Sequence, residues 1–431
     1  MKFLTQNTNI YNSVVTLSIR VLGVITLFGL SWFMTNTVDE SSVGYYEFAR
    51  VVLLTIATFG LLGTEHAILY FAGKFEAEKR LHHLGDVYFK MMGIVIVSSI
   101  IVCILFQLLP QVFFGYFGID KDFLSIIERC FLILPFYALT ILNTEAIRAF
   151  RKIGISEWFR NILKYTPLFI GLLAIRSEWV SEKSLLDWYL YGFVVLAFLS
   201  FLVVLLCMYS HKIKRTIKDS PTSKAVLQQS YPMAISAFYT FLLMTIDVFL
   251  LGHYYGADYV AYYAIAMKVM SVLSMVIVAV NINFAPKIAL YFTKNDQINL
   301  QKNLQKTAYF IAITNLILGV LLLAFAPYIL QLFGANYLIA LPAYYILIVV
   351  QIIVSTFGMV PMYMNMTEKQ SLFHKIMFVA VVINIILNAL FIPKYGLIGA
   401  AISYGVTVLF WNIIVAILSF KIDKVQLTIW K

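Results

Sequence analysis

The chain has 431 residues, 61% apolar and 12% charged, with a mean hydropathy of +0.87, where soluble globular proteins run near about 45–50% and about 25%. That composition excludes a soluble globular protein and points to an integral membrane protein. Lys and Arg number 32 against 21 Asp and Glu, a net charge of +11; no nucleic-acid motif accompanies this excess, and its distribution reads as topology instead.

Apolar runs of about 20 residues, enough for a helix to cross about 30 Å of hydrocarbon, recur along the whole chain. The half-length alternating strands of an outer-membrane barrel are not seen. The runs predict twelve helical spans, over residues 12–35, 45–72, 91–110, 123–147, 155–175, 186–209, 231–252, 259–290, 306–332, 338–364, 371–392 and 398–420. The first carries Arg20, is too long for a signal-peptide core and lacks a small-residue cleavage site, so it reads as a retained first helix. Cys103, Cys130 and Cys207 fall inside runs with no CxxC spacing, which suggests neither disulfides nor a metal site. Pro135, Pro167, Pro327 and Pro361 lie within spans, where each frees a carbonyl and permits a kink.

Alternate connecting segments hold Lys2; Lys74, Lys79, Arg80 and Lys90; Arg148, Arg151 and Lys152; Lys212, Lys214, Arg215, Lys218 and Lys224; Lys287, Lys294, Lys302 and Lys306; Lys369 and Lys375; and Lys421, Lys424 and Lys431. The opposite set holds Lys121, Arg176, Lys183 and Lys394. By the positive-inside rule both termini are expected in the cytoplasm, and the basic loops are expected to meet anionic headgroups of membrane lipids. The connections are short, which leaves no room for a soluble catalytic domain. No nucleophile elbow, P-loop or H-E-x-x-H motif occurs, so nothing supports enzymatic activity or a metal site.

At an offset of 217, "VGYYEFARVV" from Val43 meets "VAYYAIAMKV" from Val260, and "LYF" at Leu69 recurs at Leu290, displaced by one helical turn more. These matches predict a duplicated six-helix unit with both copies in the same orientation: an N-terminal lobe over 1–210, a linker over 211–230, and a C-terminal lobe over 231–431.

Several stretches are similar to one family: "GLLGTEHAILYFAG", "DVFLLGHYYGADYVAYYAIAMKV", "FAPKIALYF" and "LNALFIPKYGLIGAAISYG". In succession, and with twelve spans, they resemble the polysaccharide transporter (O-antigen flippase) family of the multidrug/oligosaccharidyl-lipid/polysaccharide (MOP) exporter superfamily. The resemblance implies an all-α membrane protein of two MATE-like six-helix lobes in a V, alternately open to each side. It also implies a substrate, an undecaprenyl-pyrophosphate-linked sugar repeat unit made on the cytoplasmic face of the bacterial inner membrane. Its release outward implies a polysaccharide polymerase and a chain-length regulator as partners.

Such a substrate needs cations for the pyrophosphate and polar or aromatic groups for sugar hydroxyls, which are costly to dehydrate unpaired. Charges inside spans usually face the protein interior or a water-filled cavity. Arg20, Arg50, Arg129, Arg160, Lys164 and Lys268 outnumber Glu65, Glu128, Glu145 and Asp247, so the six cations are the candidate substrate-binding set. Arg160 and Lys164, spaced i and i+4, are expected on one helical face. Glu145 and Arg148 read as a local ion pair. Snorkelling to the interface is the alternative for Arg50, Arg129 and Arg160. Tyr45, Tyr46, Tyr262 and Tyr263 suit an interfacial belt or a cavity equally.

Asp247 and Glu65 are candidates for coupling or gating, with H+ or Na+ as the coupling ion and no other cofactor. Asp247 lies about 24 Å along the seventh span, and its partner at the repeat offset is the apolar Leu30. Lys268 or Arg50 is the expected counter-charge if it serves a structural pair. Two other readings stand beside the flippase: a cation-coupled exporter of small molecules, which calls for acidic cavity residues, and a membrane polymerase of the same pathway, which calls for a large outer loop.

Overall fold

The computed structural model describes residues 2–78, 80–108, 120–210, 220–294, 296–367 and 369–429. Lys79, Lys212, Lys214, Arg215, Lys218 and Lys431 lie outside them, as does residues 211–219 of the expected linker. Among the described residues all regular structure is helical. Helices α1 (Lys2–Thr35), α2 (Glu40–Leu61), α3 (Thr64–Ala77), α4 (Leu84–Gln107), α5 (Lys121–Ala149), α6 (Ile153–Asn161), α7 (Thr166–Arg176) and α8 (Leu185–Ser210) come first. Then follow α9 (Ser223–Tyr255), α10 (Ala257–Thr293), α11 (Gln297–Ala324), α12 (Ala326–Gln331), α13 (Leu341–Ser355), α14 (Val360–Met366) and α15 (Gln370–Asp423).

Eight helical stretches among the described residues are long and apolar enough to cross a membrane, and α2 with α3 adds a ninth as one span bent by 50°. The last of the eight, α15, has 54 residues, about 81 Å at 1.5 Å per residue, far more than one crossing needs. It breaks at Gly396, where φ is 53° and ψ is −124°, between the two spans expected over 371–392 and 398–420. The expected fifth and seventh spans fall on the interrupted pair α6–α7 and on α9, whose apolar stretch is Phe241–Tyr255. Helices α2 and α10 begin at Glu40 and Ala257, an interval of 217 residues, the same as the sequence offset.

The chain divides into two compact units, Met1–Phe241 and Leu242–Lys431. In the first, α5 is the hub, packed on α2, α3, α4, α6 and α8. Its Pro135 removes the donor that would bond the Phe131 carbonyl, and the Cys103 thiol of α4 donates to that carbonyl at 2.8 Å. This is the repair that a backbone acceptor needs where water is excluded. Deeper in the hub, Tyr88 donates to Asn143 at 2.7 Å and Asn143 to Ser200 at 3.0 Å. The bend between α2 and α3 runs through Leu62 and Gly63, both left-handed with φ of 48° and 78°. A Cβ on Gly63 would sit 2.2 Å from the Ser230 carbonyl oxygen, so glycine lets the bend touch the α9 backbone.

In the second unit α10, α11 and α13 pack together and α13 lies on α15. Gly319 meets Ile352 and Gly405 meets Val350 at distances that admit no further Cβ. The segment after α15 folds back onto α11: Gln426 N–H donates to Gln301 at 2.8 Å, and Gln301 returns a bond to the Gln426 carbonyl at 2.9 Å. Val425 and Leu427 are thereby buried in the core beside Leu300, Leu304 and Ile311.

Candidate substrate and coupling sites

Arg50 on α2 donates its Nε–H to Glu47 at 2.8 Å; the glutamate side chain is fully buried and the arginine is 36% exposed. Around the guanidinium stand Tyr46 of the same helix, Tyr137 of α5 and Tyr189 of α8, each within electrostatic reach. Tyr46 and Tyr189 meet edge to face at 4.8 Å, and Phe193 packs on Tyr137 at 4.6 Å and on Tyr189 at 5.3 Å. Tyr46 is 2% exposed, which takes it out of the interfacial belt. Tyr262 and Tyr263 are buried as well, while Tyr45 reaches Asp122 at 3.3 Å near a helix end.

The fifth span breaks close to this cluster. Helix α6 ends at Asn161, a 3-10 turn covers Leu163–Tyr165, and α7 restarts at Thr166. Pro167, in the first turn of α7, disfavours helix at the preceding residue and would clash with the Leu163 carbonyl in a continuous helix. Arg160 and Lys164 therefore do not share a helical face as their spacing predicted. Lys164 instead lies over the Tyr165 ring, 4.8 Å from its centre, and Tyr165 stands within electrostatic reach of Tyr46 and Tyr137. The two halves of the span hold different neighbours. Gly171 and Gly192 let α7 and α8 touch through Trp188 and Pro167, whereas α6 is tied to α1 and α5.

Arg20 of α1 makes a two-pronged bond to Glu157 of α6, both contacts 3.0 Å, and Asn161 adds a third donor to the same carboxylate at 3.0 Å. Gly23 permits the close approach, since a Cβ there would lie 2.5 Å from the Asn161 Cβ. Arg160 binds Glu145 of α5, which also lies 3.9 Å from Arg148. Arg129 pairs with Asp187 at 3.1 Å, both about half exposed. Four of the six candidate cations thus have a carboxylate partner. The acids counted from the sequence were too few: Glu47 and Glu157 lie fully buried inside spans, and their pairing shrinks the cationic excess. Lys268 of α10 is 8% exposed.

In the second unit Asp247 of α9 is fully enclosed. Tyr263 donates to one of its oxygens at 3.0 Å and Asn388 to the other at 2.7 Å. Asn388 also donates to Asn384 at 3.0 Å, and Asn384 to Thr407 at 3.3 Å. Within this unit neutral donors, rather than Lys268, hold both carboxylate oxygens. Tyr263 could have been suspected from its place in the repeat; Asn388, 141 residues away, carried no local signal. Glu65, just after the α2–α3 bend, is 7% exposed and has His66 3.6 Å from one oxygen.

These features define a class: an all-helical, multi-span membrane protein of two units, with polar and ionised groups enclosed among the helices of each. Its fold is similar to that of a multidrug resistance MATE family transporter of the MOP superfamily seen inward-facing, with TM-score 0.70, 14% identity, and 95% of this chain and 99% of that one covered. It is also similar to the lipid II flippase MurJ, with TM-score 0.72, 16% identity, and 96% and 87% covered. A MOP superfamily transporter from Pyrococcus furiosus matches with TM-score 0.63, 14% identity, and 96% and 93% covered. An uncharacterized membrane protein of Methanocaldococcus jannaschii is 23% identical over 395 residues, 85% of this chain and 75% of that one. Residues 4–286 match the polysaccharide biosynthesis protein family and residues 232–390 the MatE family; the chain belongs to the polysaccharide biosynthesis protein family.

Proposed function

We propose that the chain is a flippase, which carries an undecaprenyl-pyrophosphate-linked oligosaccharide repeat unit of O-antigen, capsule or exopolysaccharide from the cytoplasmic to the outer face of a bacterial inner membrane by alternating access. The observation that carries this reading is the Arg50 cluster in a chain of a polysaccharide family. Its bond to Glu47 uses one of five guanidinium donors, and the part-exposed cation is framed by tyrosines. A cation with flanking phenols suits a phosphate joined to hydroxyl-bearing rings. The similarity to a lipid II flippase supports the same substrate class. Outward movement of a pyrophosphate is favoured by an inside-negative potential, by about 2.3 kcal/mol per charge per 100 mV of field crossed.

We assign Asp247, with Tyr263, Asn388, Asn384 and Thr407, to ion coupling. An enclosed carboxylate held by neutral oxygen-bearing groups suits H+ or Na+, hard ions that oxygen ligands take. One observation favours a second reading, a cation-coupled exporter of small molecules: carboxylates pair four of the six candidate cations, and the MatE match covers the Asp247 region.

The test is a deletion strain. Lipid-linked repeat units should build up on the cytoplasmic face, the wild-type chain should clear them, and Arg50→Ala should not. Normal surface polysaccharide in the deletion strain would overturn the flippase reading, and loss of drug resistance in its place would establish the second.

A further inference from the structure

Trp179, in the turn between α7 and α8, is 84% exposed, and its backbone is held firmly. Trp179 N–H donates to the Ala174 carbonyl at 3.0 Å and Glu178 N–H to the Ile175 carbonyl at 2.9 Å, the paired bonds of a Schellman motif. Glu178 occupies the left-handed position with φ of 58°, a place that the motif usually gives to glycine. An apolar side chain at the next position normally folds back onto the last helical turn. Here the indole stands out instead, so the turn presents the ring on a fixed support.

The surroundings are polar. An open surface hollow of about 620 Å³ is lined by Trp179 with Arg176, Glu178 and Glu182, and by Asn36 and Thr37 of the turn between α1 and α2. Glu182 accepts the Asp39 N–H at 3.1 Å and ties the two turns together. Three charged side chains share this hollow with the ring. The volume falls in the range of ligand clefts, about 300–1,000 Å³. A flat indole beside carboxylates and a guanidinium suits a ligand with one C–H face to lay on the ring and a rim of hydroxyls for the charged groups.

We infer that this turn is a saccharide subsite, which receives the sugar portion of the transported molecule on the face opposite the Lys/Arg-rich loops. It rests on the flippase reading. The ring supplies stacking area, the carboxylates accept sugar hydroxyls, and Arg176 donates to ring or carboxyl oxygens.

The test uses the full chain in nanodiscs, with oligosaccharides released by mild acid from the producing cell's own surface polysaccharide. Ligand-observed NMR should show saturable binding, weakened about fivefold to tenfold by Trp179→Ala and partly restored by Trp179→Phe. Difference emission between wild type and Trp179→Phe should be quenched by iodide and spared by brominated phospholipid. No saturable binding, equal binding by Trp179→Ala, or quenching by the brominated lipid would overturn the subsite and make Trp179 a bilayer anchor. The deletion strain separates the two claims: build-up of repeat units there with no saccharide binding removes the subsite alone, whereas normal polysaccharide removes the flippase reading itself.

Discussion

Replacing Arg20 with alanine takes away the guanidinium that holds both Glu157 oxygens at 3.0 Å. The two partners are unequal, because the Glu157 side chain is 0% exposed and that of Arg20 is 32% exposed. A stranded Glu157 has no route to water, and breaking a buried pair from that side costs about 3–5 kcal/mol. The reverse deletion, Glu157→Ala, strands a cation that solvent already screens, and its cost falls to about 1 kcal/mol or less. The first unit spans Met1–Phe241, a size at which about 1 kcal/mol moves the melting temperature by about 2–4 °C. Arg20→Ala should therefore lower it by about 6–20 °C and Glu157→Ala by about 4 °C or less. The double variant strands neither charge, so it should melt close to Glu157→Ala and well above the sum. Fluorescence-detected size-exclusion chromatography after heating in detergent reads all three. Equal losses that add in the double variant would refute the reasoning and return Arg20 to a purely substrate-facing role.

In the second unit, Asp247→Leu leaves the Tyr263 hydroxyl and the Asn388 amide without their acceptor, at about 1–3 kcal/mol each; Asp247→Asn keeps one acceptor oxygen and should cost about half as much in the same assay. If Asp247 couples an ion, Asp247→Asn should also abolish the dependence of transport on an imposed H+ or Na+ gradient, and unchanged gradient dependence would remove that role. Gly63→Ala should lower the yield of folded protein sharply, since its Cβ would meet the Ser230 carbonyl oxygen at 2.2 Å in a backbone of positive φ; near-normal yield and melting would show that the α2–α3 bend tolerates a side chain. Pro135→Ala restores the donor for the Phe131 carbonyl and frees the Cys103 thiol, so a membrane-permeant thiol reagent should label Cys103 faster in that variant.

Much of the architecture was legible in the chain. Hydrocarbon thickness sets the length of each apolar run, and the cost of moving Lys and Arg across the membrane sets their asymmetry, so spans and expected topology follow from local composition. The repeat announced the common start of α2 and α10, whereas Pro167 was legible only as one of four prolines that permit a kink, and the break at 161–166 that parts Arg160 from Lys164 was not foreseen. What no local rule could supply was the partner of each embedded charge. Arg20 meets Glu157 at a separation of 137 residues and Asp247 meets Asn388 at 141, and a cation read alone gives no sign of whether an acid stands opposite. Hydropathy likewise gave Tyr46 and Tyr263 to belt or cavity without choosing, because a phenol suits both. Packing decided for the interior. Composition and length predict twelve crossings of the membrane; only the tertiary structure decided which charges neutralise each other, because pairing depends on distance between helices and not on position along them.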